Sequence, residues 1–237
     1  MKKGFTLAEV LITLGIIGVV AALVMPSLIA DYKKKALVAQ LQKSVNTWQN
    51  GLKLMMVTEG VDDITDSEIC QTPEMADYYS QDHEYKESDA VLKKYFKIIS
   101  TPNDMVWYKA VHGDDDGDGW EHPIGFYIAD GSGVDLAIYC RVGDVTNPNA
   151  KGAIGIDVNG KKGPNTHGRD FFSFLIDSKG NLIPRGSRQH ADLTVNESNY
   201  WKNNPRLCGT PGSSNVSMAL GDGCAARIIE NGWVMDY

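Results

Sequence analysis

Phe5 to Ala30 reads FTLAEVLITLGIIGVVAALVMPSLIA, with a single ionisable residue, Glu9. About 20 apolar residues at about 1.5 Å each cross a bilayer, so this stretch is long enough to span one with some tilt. An ordinary secretory signal places a small-residue cleavage site after its apolar core. Here the leader is only MKKG, and the core is followed by Pro26, Asp31 and Lys33-Lys34-Lys35. A plain signal anchor accounts for the length but leaves Glu9 unexplained. A carboxylate within an apolar span is costly and calls for a partner.

Lys2-Lys3-Gly4, then Phe5-Thr6-Leu7-Ala8-Glu9-Val10 and the apolar run, resemble the leader and N-terminal helix of type IV pilins and type II secretion pseudopilins. The resemblance covers roughly residues 1–30. It implies cleavage by a prepilin peptidase after Gly4 and N-methylation of the new terminus, Phe5. It also implies that Glu9 pairs with the terminal amine of a neighbouring subunit during assembly, and Pro26 falls where many members carry a kinking proline. The partners implied are the peptidase, other pilin or pseudopilin subunits, the inner membrane and an assembly platform. The chemistry of the residues agrees, because pairing an ammonium with a carboxylate in hydrocarbon removes two penalties together.

Beyond Ala30 the pattern changes without stopping. Leu37, Leu41, Val45, Trp48, Leu52 and Met55 recur at spacings of three and four, which predicts an amphipathic helix ending near Thr58 at Glu59-Gly60. A helix from Phe5 to Thr58 would be about 80 Å long, with its stripe docked on a globular body. A short helix is expected near Ser88–Lys97. Strands are expected at Met105–Val111, Ile124–Ala129, Val134–Arg141, Phe171–Ile176 and Asn181–Pro184, and Asp177–Gly180 reads as a hairpin turn. Residues 185–222 read as a long surface excursion, and Cys224–Tyr237 as a final strand or helix. The expected fold is α+β: a long N-terminal helix, half membrane-spanning and half amphipathic, packed on a small antiparallel-sheet head. Its organisation would be 1–4 leader, 5–30 transmembrane and assembly helix, 31–58 amphipathic helix and 59–237 periplasmic head.

The chain has 237 residues, 43% apolar and 22% charged, with a net charge of −7. Residues 1–35 hold five Lys against Glu9 and Asp31, a net of +3, so the remainder carries −10. An acidic body argues against nucleic-acid binding, which needs a basic face. Lysines on both sides of the span do not favour export of the C-terminal body. The family resemblance and the cysteines place that body outside, giving a bacterial inner-membrane, single-pass protein whose periplasmic head later joins an extracytoplasmic filament.

Cys70, Cys140, Cys208 and Cys224 permit three pairings or four free thiols. In an exported body, Cys208–Cys224 would staple the Gly/Ser/Asn-rich excursion, leaving Cys70–Cys140. Asp114, Asp116 and Asp118 with Gly119 match the opening of a calcium loop, but the twelfth position is Gly125 instead of a bidentate Glu. An EF-hand is excluded. A partial calcium site and a solvated acidic turn both fit, and the resemblance to calcium-holding pseudopilins favours calcium as the one cofactor to consider. Asp157-Val158-Asn159-Gly160 with Asn165 and Asp170 form a second polar loop, read as a turn.

No HExxH, GxSxG, SxxK, P-loop or GxGxxG pattern occurs. The expectation is a non-enzymatic pilin or pseudopilin. The alternative is a membrane-anchored periplasmic calcium-binding module or enzyme that does not polymerise. The residues leave open whether the filament is a pilus, a secretion pseudopilus or a DNA-uptake fibre.

Overall fold

Helix α1 runs from Leu7 to Glu59 and passes through Pro26 without a break. It stops where the sequence supplies a left-handed residue. Gly60 sits at φ +68°, its N–H reaches Val57 O at 3.3 Å, and Val61 N–H reaches Met56 O at 3.0 Å. Those two bonds are a Schellman closure, which a residue with a Cβ would strain. The computed structural model describes residues 4, 6–72, 75, 86–101, 104–110, 119–138, 140, 149–194, 196–204, 207–208 and 221–237. The chain divides into two compact units, Met1–Ala36 and Leu37–Tyr237, and α1 contributes to both.

In the first unit the helix is a bare apolar rod. Leu7, Leu11, Ile12, Ile16, Ile17, Val20, Leu23 and Leu28 are all exposed. This is the one helix among the described residues long and apolar enough to cross a membrane.

In the second unit the character of α1 reverses. Val38, Leu41, Trp48, Leu52, Met55 and Met56 are buried, and Leu37 and Val45 pack against them at the margin. The stripe read from the sequence is therefore the docking face. Gly51 makes close approach possible: a Cβ there would lie 2.1 Å from Phe96 Cε1, where the ring stacks on Trp48 at 4.2 Å. Gln49 fixes the register of the docking. Its Nε2 donates to Gly180 O at 2.9 Å, and its Oε1 accepts from Leu182 N at 2.8 Å.

The rest of this unit comprises 3-10 turns at Ile64–Asp66 and Glu68–Gln71, α2 (Lys86–Leu92), a nine-stranded sheet, α3 (Arg188–Thr194) and α4 (Cys224–Glu230). The strands are β1 (Ile98–Ser100), β2 (Asp104–Ala110), β3 (Gly119–Ile124), β4 (Phe126–Ile128), β5 (Gly133–Ile138), β6 (Gly152–Asp157), β7 (Thr166–His167), β8 (Phe171–Ile176) and β9 (Leu182–Pro184). They pair in the order β1-β4-β5-β6-β8-β7-β2-β3, with β9 on β8. The head is α+β as expected, but its sheet is larger and mixed, because the two-residue β7 pairs parallel with both β2 and β8. Gly125 alone separates β3 from β4, so the chain itself links far positions of the strand path.

Alternation sets the layers. Val134, Ile156 and Phe172 lie in register across β5, β6 and β8, as do Leu136, Ile154 and Phe174, and all join the cluster that receives α1. On the opposite side Tyr108, Ile124, Tyr127 and Phe171 form a second cluster. Every residue of β8 is buried, so both of its faces are covered.

Three sequence expectations need correction. Gly152–Asp157, assigned to no element, is a central strand. Part of the 185–222 excursion is ordered: α3 is capped by Ser187, whose Oγ accepts from His190 N at 3.1 Å, and Ala191 is buried. The helix expected near Ser88–Lys97 begins and ends earlier, at Lys86–Leu92, with Lys93–Tyr95 as a turn.

Candidate functional site

Gly4, Thr6 and Glu9 sit at the start of α1; Phe5 lies outside the described residues. Among the described residues a Cβ at Gly4 would meet nothing within 4 Å, so no packing among them requires glycine there. Thr6 and Glu9 close a reciprocal cap. Glu9 Oε2 accepts from Thr6 N and from Thr6 Oγ1, each at 2.8 Å, and Thr6 Oγ1 accepts from Glu9 N at 3.3 Å. This capping box satisfies amides that the first turn of a helix leaves open. The sequence reading gave Glu9 a charge partner and missed its neighbour three residues before it. The Thr-x-x-Glu pattern ahead of an apolar run was the signal that could have found it.

The four cysteines form two disulfides, Cys70–Cys140 and Cys208–Cys224. The first ties the Glu68–Gln71 turn to the end of β5, and the second holds Cys208 on the first turn of α4. Arg227 reinforces the second by donating to Cys208 O at 3.0 Å. Asp114, Asp116 and Asp118 lie outside the described residues, and among the described residues no cluster of three or more His, Cys, Asp or Glu could hold a metal.

In the second polar loop two buried aspartates stitch β6 to β8. Asp157 is 1% exposed; its Oδ2 accepts from Tyr108 Oη at 2.7 Å and its Oδ1 from Asn159 N at 3.1 Å. Asp170 accepts from Thr166 N at 2.5 Å, Asn165 N at 3.0 Å and Asn159 Nδ2 at 3.2 Å. Burial pushes the Asp157 carboxyl up to about 7, against the lowering effect of the Tyr108 hydroxyl, and nearby Asp170 adds to the rise. Burial also raises Asp170, opposed chiefly by the Thr166 and Asn165 amides. Tyr108 is held protonated by burial and by the Asp157 charge.

Ser173, His167 and Asp222 also come together, at 3.1 Å and 3.4 Å. Both partners face the same ring nitrogen, Nε2, whereas a nucleophilic relay needs base and orienting groups on opposite nitrogens. His167 is fully buried, and Asp222 continues to Arg185 at 3.2 Å. The arrangement anchors β7, with help from Tyr237 Oη, which donates to Gly168 O at 2.5 Å.

The chain shows no match among curated proteins or solved structures. Its first 25 residues match the family model of the prokaryotic N-terminal methylation motif. The apolar helix that begins within that motif fits a protein anchored in the inner membrane by a single pass, and the motif favours a structural subunit over an enzyme. Over residues 1–25 the chain therefore carries the motif found at the prepilin cleavage signal of type IV pilins and pseudopilins.

Proposed function

We propose that the chain is a structural subunit of a type IV pilus or a type II secretion-like filament. A prepilin peptidase cuts between Gly4 and Phe5 and methylates the new terminus. Residues 5–30 then hold the subunit in the inner membrane with the head, from residue 59 onward, in the periplasm. Other pilin or pseudopilin subunits join it through their N-terminal helices.

The observation that carries this reading is Glu9, a carboxylate set among exposed apolar side chains. Thr6 supplies it with hydrogen bonds but no cation. The amine freed at Phe5 of an adjacent subunit is a cation placed at the same end of the same helix, and pairing the two removes an uncompensated charge from hydrocarbon. Gly15 and Gly18 support side-by-side packing, since neither is needed by contacts among the described residues and small residues let helices approach in lipid.

Processing tests the proposal. Gly4→Ala perturbs no contact among the described residues, so fold and membrane insertion should be unchanged. The variant should persist as uncut precursor and yield no filaments. Wild-type migration and function from Gly4→Ala would instead favour a non-polymerising anchor.

A further inference from the structure

Tyr32-Lys33-Lys34-Lys35 follows the span directly, and the function above makes no use of it. Tyr32, Lys33 and Lys35 are exposed and Lys34 is half-buried. Among the described residues none of the three lysines is in an ion pair, even though Asp31 stands four residues before Lys35. Consecutive helical residues diverge by about 100°, so three adjacent lysines point over more than half the circumference. A single protein face cannot receive all of them. A layer that surrounds the helix can.

The depth fits such a layer. Val10 to Ile29 is 20 residues, about 30 Å of helix and one hydrocarbon thickness. Tyr32 lies one turn past Ile29, where aromatic side chains settle at the interface. The lysines lie about 6–9 Å past it, at the level of the headgroup phosphates. With Asp31 counted, the collar carries a net +2.

Resting on the reading that residues 5–30 span a membrane, we propose that Tyr32 and Lys33–Lys35 form a collar that binds anionic phospholipid headgroups. The lysine ammoniums engage the lipid phosphates around the helix, and the tyrosine ring marks the boundary with the acyl chains. Each lysine near an anionic surface accounts for about a fivefold gain in affinity.

The test uses the full chain in neutral-detergent micelles doped equally with phosphatidylglycerol and phosphatidylcholine, with retained lipid counted by native mass spectrometry. The wild-type chain should retain phosphatidylglycerol over phosphatidylcholine. Lys33→Gln/Lys34→Gln/Lys35→Gln should lower that retention at least tenfold, whereas Lys161→Gln/Lys162→Gln in the head should leave it unchanged. Inorganic phosphate at matched ionic strength should not displace the lipid; displacement would identify a free-phosphate site and overturn the headgroup assignment. Equal retention by wild type and the triple variant would also overturn it. So would a triple variant that changes only self-association, because the lysines would then be meeting carboxylates of a second copy. Carbonate extraction separates the two readings: a chain washed from membranes refutes the span, whereas an embedded chain with no lipid preference refutes the collar alone.

Discussion

Replacing Asp157 by Asn should stabilise the head at neutral pH. Asp157, the last residue of β6, is buried, and its carboxyl is pushed up to about 7 from an ordinary value of 3.8. A raised carboxyl binds protons more readily in the folded state, so stability is greatest below the unfolded value and declines as pH rises from about 4 to about 7. Three units at about 1.4 kcal/mol each set the full effect at about 4 kcal/mol above pH 7. Asn keeps the shape and the contacts to Asn159 and Tyr108: its oxygen accepts from Asn159 N, and its amide donates to the Tyr108 hydroxyl, which rotates to accept.

Thermal unfolding of the full chain in non-ionic detergent, followed by circular dichroism from pH 4 to 8, measures the difference. At pH 8 the variant should melt about 10 °C higher, from about 2–4 °C per kcal/mol for a domain of this size. The two should converge near pH 4. His190 works in the other direction, because burial and the Arg185 charge hold it down to about 4, so its contribution is lost as pH falls from 6.5. Both proteins carry that histidine, and it cancels in the comparison. Parallel melting profiles across the whole range would refute the argument.

Three further outcomes follow from the same structure. Gly51→Ala places a methyl in the Phe96 ring and should destabilise the head by about 1–3 kcal/mol in denaturant titration, with loss of the Trp48 stack. Cys208→Ser with Cys224→Ser opens a loop of 16 residues and should cost about 3 kcal/mol, read as a lower denaturation midpoint. If Asp114, Asp116 and Asp118 hold calcium, the chain should melt higher in millimolar calcium than in chelator. Identical curves would leave a solvated acidic turn.

What could be read from the sequence depended on whether a segment carries its own periodicity. The α1 stripe was legible because its side chains repeat at 3.6, its stop because Gly60 follows the last periodic residues, and the Phe171–Ile176 strand because five of its six residues are apolar. Gly152–Asp157 was not, because GAIGID offers two glycines and one isoleucine pair, and only β5 and β8 on either side make it a strand. Asp157 and Asp170 look like ordinary turn residues in the sequence. Asp157 is covered in part by Tyr108, 49 residues away, which no local pattern announces. In the candidate site the order was reversed. The methylation motif and the apolar helix were legible, since both are written in adjacent residues and need no distant partner. Thr6 was overlooked although its pattern is equally local.

That cap separates two roles that a single substitution at Glu9 would confound. Before any partner arrives the chain still has to satisfy the first-turn amides of α1 and the Glu9 carboxylate, and the Thr6–Glu9 box does both. Glu9→Val removes the cap and the charge together. Glu9→Gln removes only the charge, since a glutamine oxygen accepts the same Thr6 bonds. If Glu9 serves chiefly to start the helix, Gln should assemble normally, and Val should weaken the first turn by about 1 kcal/mol. If the charge recruits the amine of an incoming Phe5, both variants should be cut after Gly4 and remain in the membrane, yet neither should yield filaments. Sheared-filament yield and processed-monomer level, measured side by side in the two strains, decide between these outcomes. Filaments from Glu9→Gln at wild-type yield would refute charge pairing while leaving the cap in place.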